Sequence, residues 1–289
     1  MDEQLFFKWQ EIKKYWNQRA VYFQNVTNLS YQLPTIFELI GQLNGTFEDQ
    51  IWHVPVNLPI NASRINGDLS YDQVLSISLT EAQRYYNLGF SLCFGDLSPH
   101  INSINALKST AASVFEHEDL IYITAYLSPP GAVGALHFDR QHNYFIQKSG
   151  CKHWYVSEKP AVINPPENLV YPTATREFFE EQKEAGYRIK FPKECGVKVF
   201  ELQPGDILYV PPGYYHSPET GETASLHYTL TLEPACVWRD FTKLLNAELL
   251  IGNEDYYKDY RFLTTAERVD LSKRCLDRLV DKLQKEMLK

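Results

Sequence analysis

Apolar positions in the first part of the chain recur at helical spacing in short bursts. Phe7, Ile12, Trp16 and Val21 anchor a segment from Phe6 to Val26 that starts helical and ends extended. Pro34 to Leu43, Thr80 to Asn87 and Ser103 to Phe115 read as further helices, the last carrying Ile104, Leu107, Ala111 and Val114 on one face. From Leu120 the period changes. The run from Leu120 to Leu127 (LIYITAYL) is β-branched and aromatic, and it stops at Ser128-Pro129-Pro130-Gly131, a turn by composition. Strands are predicted around Ala135–Asp139, Asn143–Gln147, Lys152–Val156, Val197–Leu202, Ile207–Val210 and Ala224–Leu232. Pro160 to Pro192 reads as a long insertion with a polar helix near Arg176–Lys183, the kind of loop that serves as a lid or wall on a β-barrel.

After Pro234 the pattern turns helical again. Thr264 and Glu267 have the spacing of a capping box, and Val269, Cys275, Leu276, Leu279, Val280, Leu283 and Met287 follow as an apolar stripe. The stripe suits packing on its own domain and a homodimer interface equally. The expected organisation is one domain over residues 1–236, including the amino-terminal helices, and a carboxy-terminal helical segment over 237–289 that could serve dimerisation.

Composition narrows the class. Of 289 residues, 44% are apolar, enough for a substantial core, and 14% are aromatic, with 19 tyrosines, which fits a β-rich fold with a lined pocket. A net charge of −8 argues against non-specific nucleic-acid binding. The five cysteines are scattered without a CxxC pair, the start lacks a basic and apolar leader, and no run approaches the roughly 18 apolar residues of a membrane span. The expectation is a soluble, cytoplasmic protein.

The candidate chemistry lies in His137-Phe138-Asp139, answered by His216 at the end of Gly205-Asp206-Ile207-Leu208-Tyr209-Val210-Pro211-Pro212-Gly213-Tyr214-Tyr215-His216. Residues two apart on a strand point the same way, so His137 and Asp139 can share one metal. His216, just past the Ile207–Val210 strand, supplies the third ligand. Two imidazoles and one carboxylate form the facial triad that holds Fe(II) and leaves open positions for a co-substrate and O2. Lys152 follows the Ser149-Gly150 turn on a hairpin partner of the metal-bearing strand, and a lysine pointing inward there needs an anion. Asn143 shares the strand parity of His137 and Asp139. His142 and His153 have the opposite parity to the triad and to Lys152. On the last strand His227 alternates with Ser225, Thr229 and Thr231, a polar face expected to look into the barrel, which makes His227 a supporting or substrate-contacting candidate.

From Gly134 to Trp154 the chain resembles the JmjC oxygenases, iron- and 2-oxoglutarate-dependent enzymes built on a double-stranded β-helix, and the resemblance extends from about Ile77 to Leu232. His137-x-Asp139-x-x-x-Asn143-x-Phe145, with Lys152 on the next strand, is similar to the asparaginyl hydroxylase that acts on hypoxia-inducible factor. Tyr126–Gly131, the Gln147–Trp154 hairpin and Tyr85–Asp96 are closer to the ribosomal oxygenases of the cupin-4 branch. The resemblance implies a mainly β, cupin-type double-stranded β-helix with amino-terminal helices. It implies Fe(II) on His137, Asp139 and His216, 2-oxoglutarate anchored by Lys152 with Asn143 and Tyr126 as further contacts, and O2 as oxidant. The implied reaction is hydroxylation of an amino-acid side chain in a protein or peptide, with succinate and CO2 as co-products. A carboxylate ligand at Asp139 fits hydroxylation, since halogenating relatives vacate that position.

Two departures weigh on the substrate. Ribosomal oxygenases continue into a winged-helix domain, whereas about fifty residues follow Leu232, and the asparaginyl hydroxylase pattern has threonine where this chain has Gly134. A small or carrier-bound amino acid therefore stands as the alternative substrate, with RNA behind it. A non-catalytic metal-binding cupin scaffold and a zinc hydrolase are the alternatives of another class, and neither has a use for Lys152.

Overall fold

A computed structural model of the chain describes residues 9–26, 33–36, 38–39, 46–48, 51–53, 60–66, 70–171, 188–236, 242 and 264–287. It divides into two compact units, Met1–Pro234 and Ala235–Lys289. The helix expected at Arg176–Lys183 lies outside the described residues. No helix among them is long and apolar enough to cross a membrane.

The strands of the first unit are β1 (Val21–Phe23), β2 (Thr46–Glu48), β3 (Ile51–His53), β4 (Ile60–Ile65), β5 (Tyr71–Val74), β6 (Ser91–Phe94), β7 (Ile121–Ser128) and β8 (Leu136–Phe138). They continue as β9 (His142–Ser149), β10 (Lys152–Val156), β11 (Leu169–Tyr171), β12 (Lys198–Leu202), β13 (Ile207–Val210), β14 (His216–Thr220) and β15 (Ser225–Leu232). One sheet runs β1-β13-β9-β15-β7-β6-β4-β5 and a second β11-β8-β14-β10-β12, with β2 and β3 a separate pair. From β7 onward the chain passes back and forth between the two sheets, so that β7, β9, β13 and β15 face β8, β10, β12 and β14. This is the double-stranded β-helix, of the cupin and JmjC type, that the resemblance implied.

The two-residue period of β15 shows why the sheets pair. Leu226, Tyr228, Leu230 and Leu232 turn outward and join Ile121, Ile123 and Ala125 of β7 in a large core. Trp9, Ile12 and the buried face of α2 (Asn102–Phe115), namely Ile104, Leu107, Ala111 and Val114, cover that core. The inner face meets the second sheet around Phe145, Trp154, Val156, Phe200, Leu202, Leu208 and Val210. Burying apolar side chains on both faces of the larger sheet fixes register, because a one-residue slip would exchange the two sets.

The local signals at the helices also hold. The helix expected from Thr80 is α1 (Leu79–Asn87), which carries a Ser78–Glu81 capping box. In the second unit α3 (Thr265–Met287) begins with the Thr264–Glu267 box, in which Thr264 N donates to Glu267 Oε2 at 2.8 Å. Val269, Leu276 and Val280 of its stripe are exposed.

The structure adds strands that the pattern does not reveal. β4 and β5 (INASRI, YDQV) are rich in polar residues. β14 contains Pro218, which cannot donate to a ladder, yet it lies between β8 and β10. His216 therefore opens a strand of its own in the smaller sheet, rather than trailing the Ile207–Val210 strand.

One glycine ties this region together. Gly213 donates its N–H to the Asp139 carbonyl at 2.8 Å. It has φ +75°, and a Cβ there would stand 2.0 Å from the Val162 carbonyl oxygen. Gly213→Ala is expected to cost about 1–3 kcal/mol of stability and to lower the midpoint of thermal unfolding by several degrees. An unchanged midpoint would contradict this backbone placement.

Candidate metal centre

β8 and β14 lie side by side with His137 opposite His216. Asp139 follows β8, and its Oδ2 is 3.8 Å from His137 Nε2 and 3.4 Å from His216 Nε2. The three candidate ligand atoms all fall within 4.8 Å of one another. Both imidazoles are oriented alike. His137 Nδ1 lies 2.7 Å from the carbonyl of Ala135, and His216 Nδ1 lies 3.0 Å from that of Tyr214, each two residues upstream. Donation to those carbonyls places the proton on Nδ1 and aims both Nε2 lone pairs at the space beside Asp139. The side chain of His216 is 2% exposed, that of Asp139 16% and that of His137 28%, so the cluster is closed behind and open at one side.

The charges agree with a cation at this point. Burial by itself raises the Asp139 carboxyl, but His137, the His216 contact and the Asn143 amide outweigh it and bring the group down to about 2. Burial and the neighbouring His216 hold His137 below the usual imidazole range. Two neutral nitrogen donors and one carboxylate suit a first-row divalent ion with open coordination positions. Among the described residues no cation takes up the Asp139 charge, which is the fit such an ion requires.

Asn143 is committed to this cluster. Its Nδ2 donates to Asp139 Oδ2 at 2.6 Å, and its Oδ1 accepts from Thr231 Oγ1 at 2.9 Å. The parity argument for Asn143 needs correction in its route, because β8 and β9 belong to different sheets. Asn143 nonetheless reaches the carboxylate across the bend between them.

Deeper in the barrel Lys152 is 2% exposed. Its Nζ donates to Ser128 Oγ at 3.0 Å and lies 3.0 Å from His227 Nδ1. Burial lowers its ammonium to about 7, and burial together with the Lys152 charge drives His227 well below its ordinary value. A neutral His227 accepting at Nδ1 carries its proton on Nε2. The hairpin that brings Lys152 here pairs it differently from expectation. β9, across the Ser149-Gly150 turn, carries Asn143 and no metal ligand, whereas the ladder neighbours of β10 are β12 and β14, the strand of His216.

Tyr126 stacks flat on His227, with centroids 4.9 Å apart and planes 3° apart. Its phenol meets Cys93, and that thiol and burial raise it well above its ordinary value. Phe145 and Trp154 stack at 3.7 Å and lie against both His216 and His227. His142 and His153 point elsewhere, as their parity indicates. His142 stacks on Trp16 at 3.7 Å and contacts the Tyr209 hydroxyl, with burial holding it near 3. His153 faces Glu201 outside the barrel. Ser128 and Thr231 are partners of Lys152 and Asn143 that the motif does not reveal. Their signal was the inward parity shared with Tyr126 on β7 and with His227 on β15.

Residues 97–238 match the family model described as JmjC domain. That stretch is a JmjC domain. The JmjC domain-containing protein D of Dictyostelium discoideum is 36% identical over 106 residues, which are 34% of this chain and 22% of that protein. Human ribosomal oxygenase 1 is 32% identical over 124 residues, 42% of this chain and 17% of that protein. The chain thus spans about a fifth of the length of these relatives. Among solved structures, the Escherichia coli ribosomal oxygenase YcfD in complex with cobalt and 2-oxoglutarate aligns with TM-score 0.54 at 21% identity, covering 97% of this chain and 65% of that one. The JmjC fold is common to both.

Asn143→Ala should weaken Co(II) or Fe(II) binding by about 10–100-fold, the usual cost of losing a group that orients a ligand, while the fold survives. Calorimetric titration checks it. Unchanged metal affinity with weakened 2-oxoglutarate binding would instead make Asn143 a co-substrate contact.

Proposed function

We propose that this JmjC domain is an Fe(II)- and 2-oxoglutarate-dependent oxygenase that hydroxylates an amino-acid side chain in a protein or peptide. The observation that carries the reading is Lys152. It is a buried cation with no carboxylate partner among the described residues, in the same barrel as a three-residue cluster that could hold a metal. A dicarboxylate that binds a metal at one end and needs a cation at the other answers both features. Fe(II), 2-oxoglutarate and O2, when bound, would supply oxidation of the C–H bond, with succinate and CO2 as co-products.

The chain's own groups divide the remaining work. His137, Asp139 and His216 would hold the metal, and Asn143 keeps the Asp139 carboxylate turned toward it. Lys152 and Ser128 would grip the distal carboxylate. His227 takes a hydrogen bond from Lys152 and is itself held by the Tyr126 ring. Thr229 offers a buried hydroxyl without a protein partner, on the same inward face of β15. Phe145 and Trp154 exclude water from the floor, so orientation and desolvation are the protein's contribution.

The relatives support a macromolecular substrate. Among them are ribosomal oxygenases and the protein of Aedes aegypti named bifunctional lysine-specific demethylase and histidyl-hydroxylase NO66. A scaffold that keeps only the metal leaves Lys152 unaccounted for. Val269, Leu276 and Val280, exposed on α3, support a homodimer, which light scattering on the purified chain would detect.

The iron-loaded protein should release succinate from 2-oxoglutarate in air, and His137→Ala and Lys152→Ala should each abolish that release. With peptides from ribosomal proteins, mass spectrometry should find a one-oxygen gain. A free amino acid oxidised in their place would move the substrate to the small-molecule class.

The linkage at Lys152 is also testable. Its unliganded ammonium titrates near 7, and a bound dicarboxylate raises it. Affinity for 2-oxoglutarate should be flat below pH 7. Above it, affinity should fall by up to about tenfold per unit, with uptake of one proton on binding visible in buffers of different ionisation enthalpy. An affinity that stays constant from pH 7 to pH 9 would exclude Lys152 as the anchor.

A further inference from the structure

Outside the barrel, the alternation that turns Lys152 inward turns its two neighbours outward together. Cys151 and His153 emerge on the solvent face of the smaller sheet, and Glu201, directly opposite His153 on β12, closes the group. Cys151 Sγ lies 3.6 Å from Glu201 Oε1, and His153 Nε2 lies 3.7 Å from Glu201 Oε2. The three donor atoms fall within 4.8 Å of one another. We propose that Cys151, His153 and Glu201 form a second metal site, for zinc(II) or a similarly thiophilic divalent ion.

The donor chemistry supports this. A thiolate and a carboxylate carry two negative charges and neutral imidazole none, which balances a dication. In tetrahedral zinc coordination the metal–sulfur bond is about 2.3 Å and the bonds to nitrogen and oxygen about 2.0–2.1 Å. Those lengths place S and O roughly 3.5 Å apart and N and O roughly 3.3 Å apart; Cys151 and His153 approach different oxygens of Glu201, so a turn of that carboxylate and of the two side chains closes the site. The fourth position faces solvent, since the side chains of His153 and Glu201 are 36% and 56% exposed.

Nearby groups favour a cation. Glu219 on β14 faces His153 from the opposite ladder, so carboxylates flank the imidazole on both sides, and Glu219 accepts a hydrogen bond from Tyr155. Gln203 donates to Glu201 Oε1 at 2.7 Å and to Cys151 Sγ at 3.4 Å, which holds the carboxylate and the sulfur toward each other. Without metal, partial burial and the Glu201 charge keep the Cys151 thiol above its ordinary value. Metal binding forms the metal–sulfur bond as the thiol proton passes to solvent.

This site is distinct from the triad in composition, being, among the described residues, the one of the two clusters with sulfur. It also grips β10 on both sides of Lys152. An ion here would fasten the Ser149-Gly150 turn to β12, and so steady the strand that carries the Lys152 anchor.

Cobalt(II) titration of the metal-free full chain separates the two centres. The wild type should bind two equivalents, one of them producing an intense near-ultraviolet thiolate-to-cobalt charge-transfer band that zinc(II) removes. Cys151→Ser and His153→Ala should each lose that band and one equivalent, while keeping the weak visible bands of the cobalt bound at the triad. That retention also reports that the variants fold. His137→Ala with Asp139→Ala should do the reverse. A single equivalent without charge transfer in the wild type would overturn the proposal, and so would a band that survives Cys151→Ser.

Discussion

A protonated lysine sealed inside a barrel is expensive unless an anion reaches it. Lys152 is held by a hydroxyl and an imidazole, neither of which carries negative charge. Burial of an unpaired ammonium costs several kcal/mol. The surrounding fold meets part of that cost by letting the proton leave more easily, with the ammonium brought down to about 7. The structure therefore holds a site that is electrostatically incomplete in the free chain. The incompleteness is specific: it calls for an anion reaching in from the metal side, where Asp139, His137 and His216 present the opposite need.

The two halves of the site are built by different devices. At the metal end, ladder pairing of β8 with β14 brings two histidines together, and backbone carbonyls set their tautomers. The carboxylate is fixed by Asn143, and its backbone by Gly213. At the lysine end, the hairpin from β9 to β10 moves the chain from the larger sheet to the smaller and delivers Lys152 opposite β7 and β15. Gly150 permits that hairpin, with φ +67° and no room for a Cβ against the Ala224 carbonyl. Charge and geometry thus depend on the same alternation of inward and outward side chains, and on β10 that alternation also brings Cys151 and His153 together outside.

Much of this was legible in the chain because period-two patterning speaks directly about which face a residue takes. The grouping of His137, Asp139 and His216, the inward lysine and the polar face of β15 were all readable from parity and motif. The pairing of strands was not. Parity cannot say that β8 and β9 belong to different sheets, so Asn143 emerged as a partner of Asp139 only in three dimensions. β14 was invisible because Pro218 and its polar neighbours look like a loop, and β4 and β5 lack the β-branched runs that announce a strand. The helix capping boxes at Ser78 and Thr264 are purely local and were correspondingly plain at the second of these. Gly134, where a threonine belongs in one similar enzyme group, also has a physical reason. A Cβ there would meet the Pro218 ring at 2.7 Å, so the substitution is tied to this chain's own β14.

The central claim is that one dicarboxylate completes both ends of the barrel. The direct measurement is anaerobic titration of 2-oxoglutarate into the Fe(II)-loaded protein, followed by the visible charge-transfer absorption that marks chelation by a 2-oxo acid. The account predicts a saturable band in the wild type, at least tenfold weaker binding in Lys152→Met, and no band in Asp139→Ala with His216→Ala. Absence of the band at saturating 2-oxoglutarate, in a protein shown to hold iron at the triad, would contradict it.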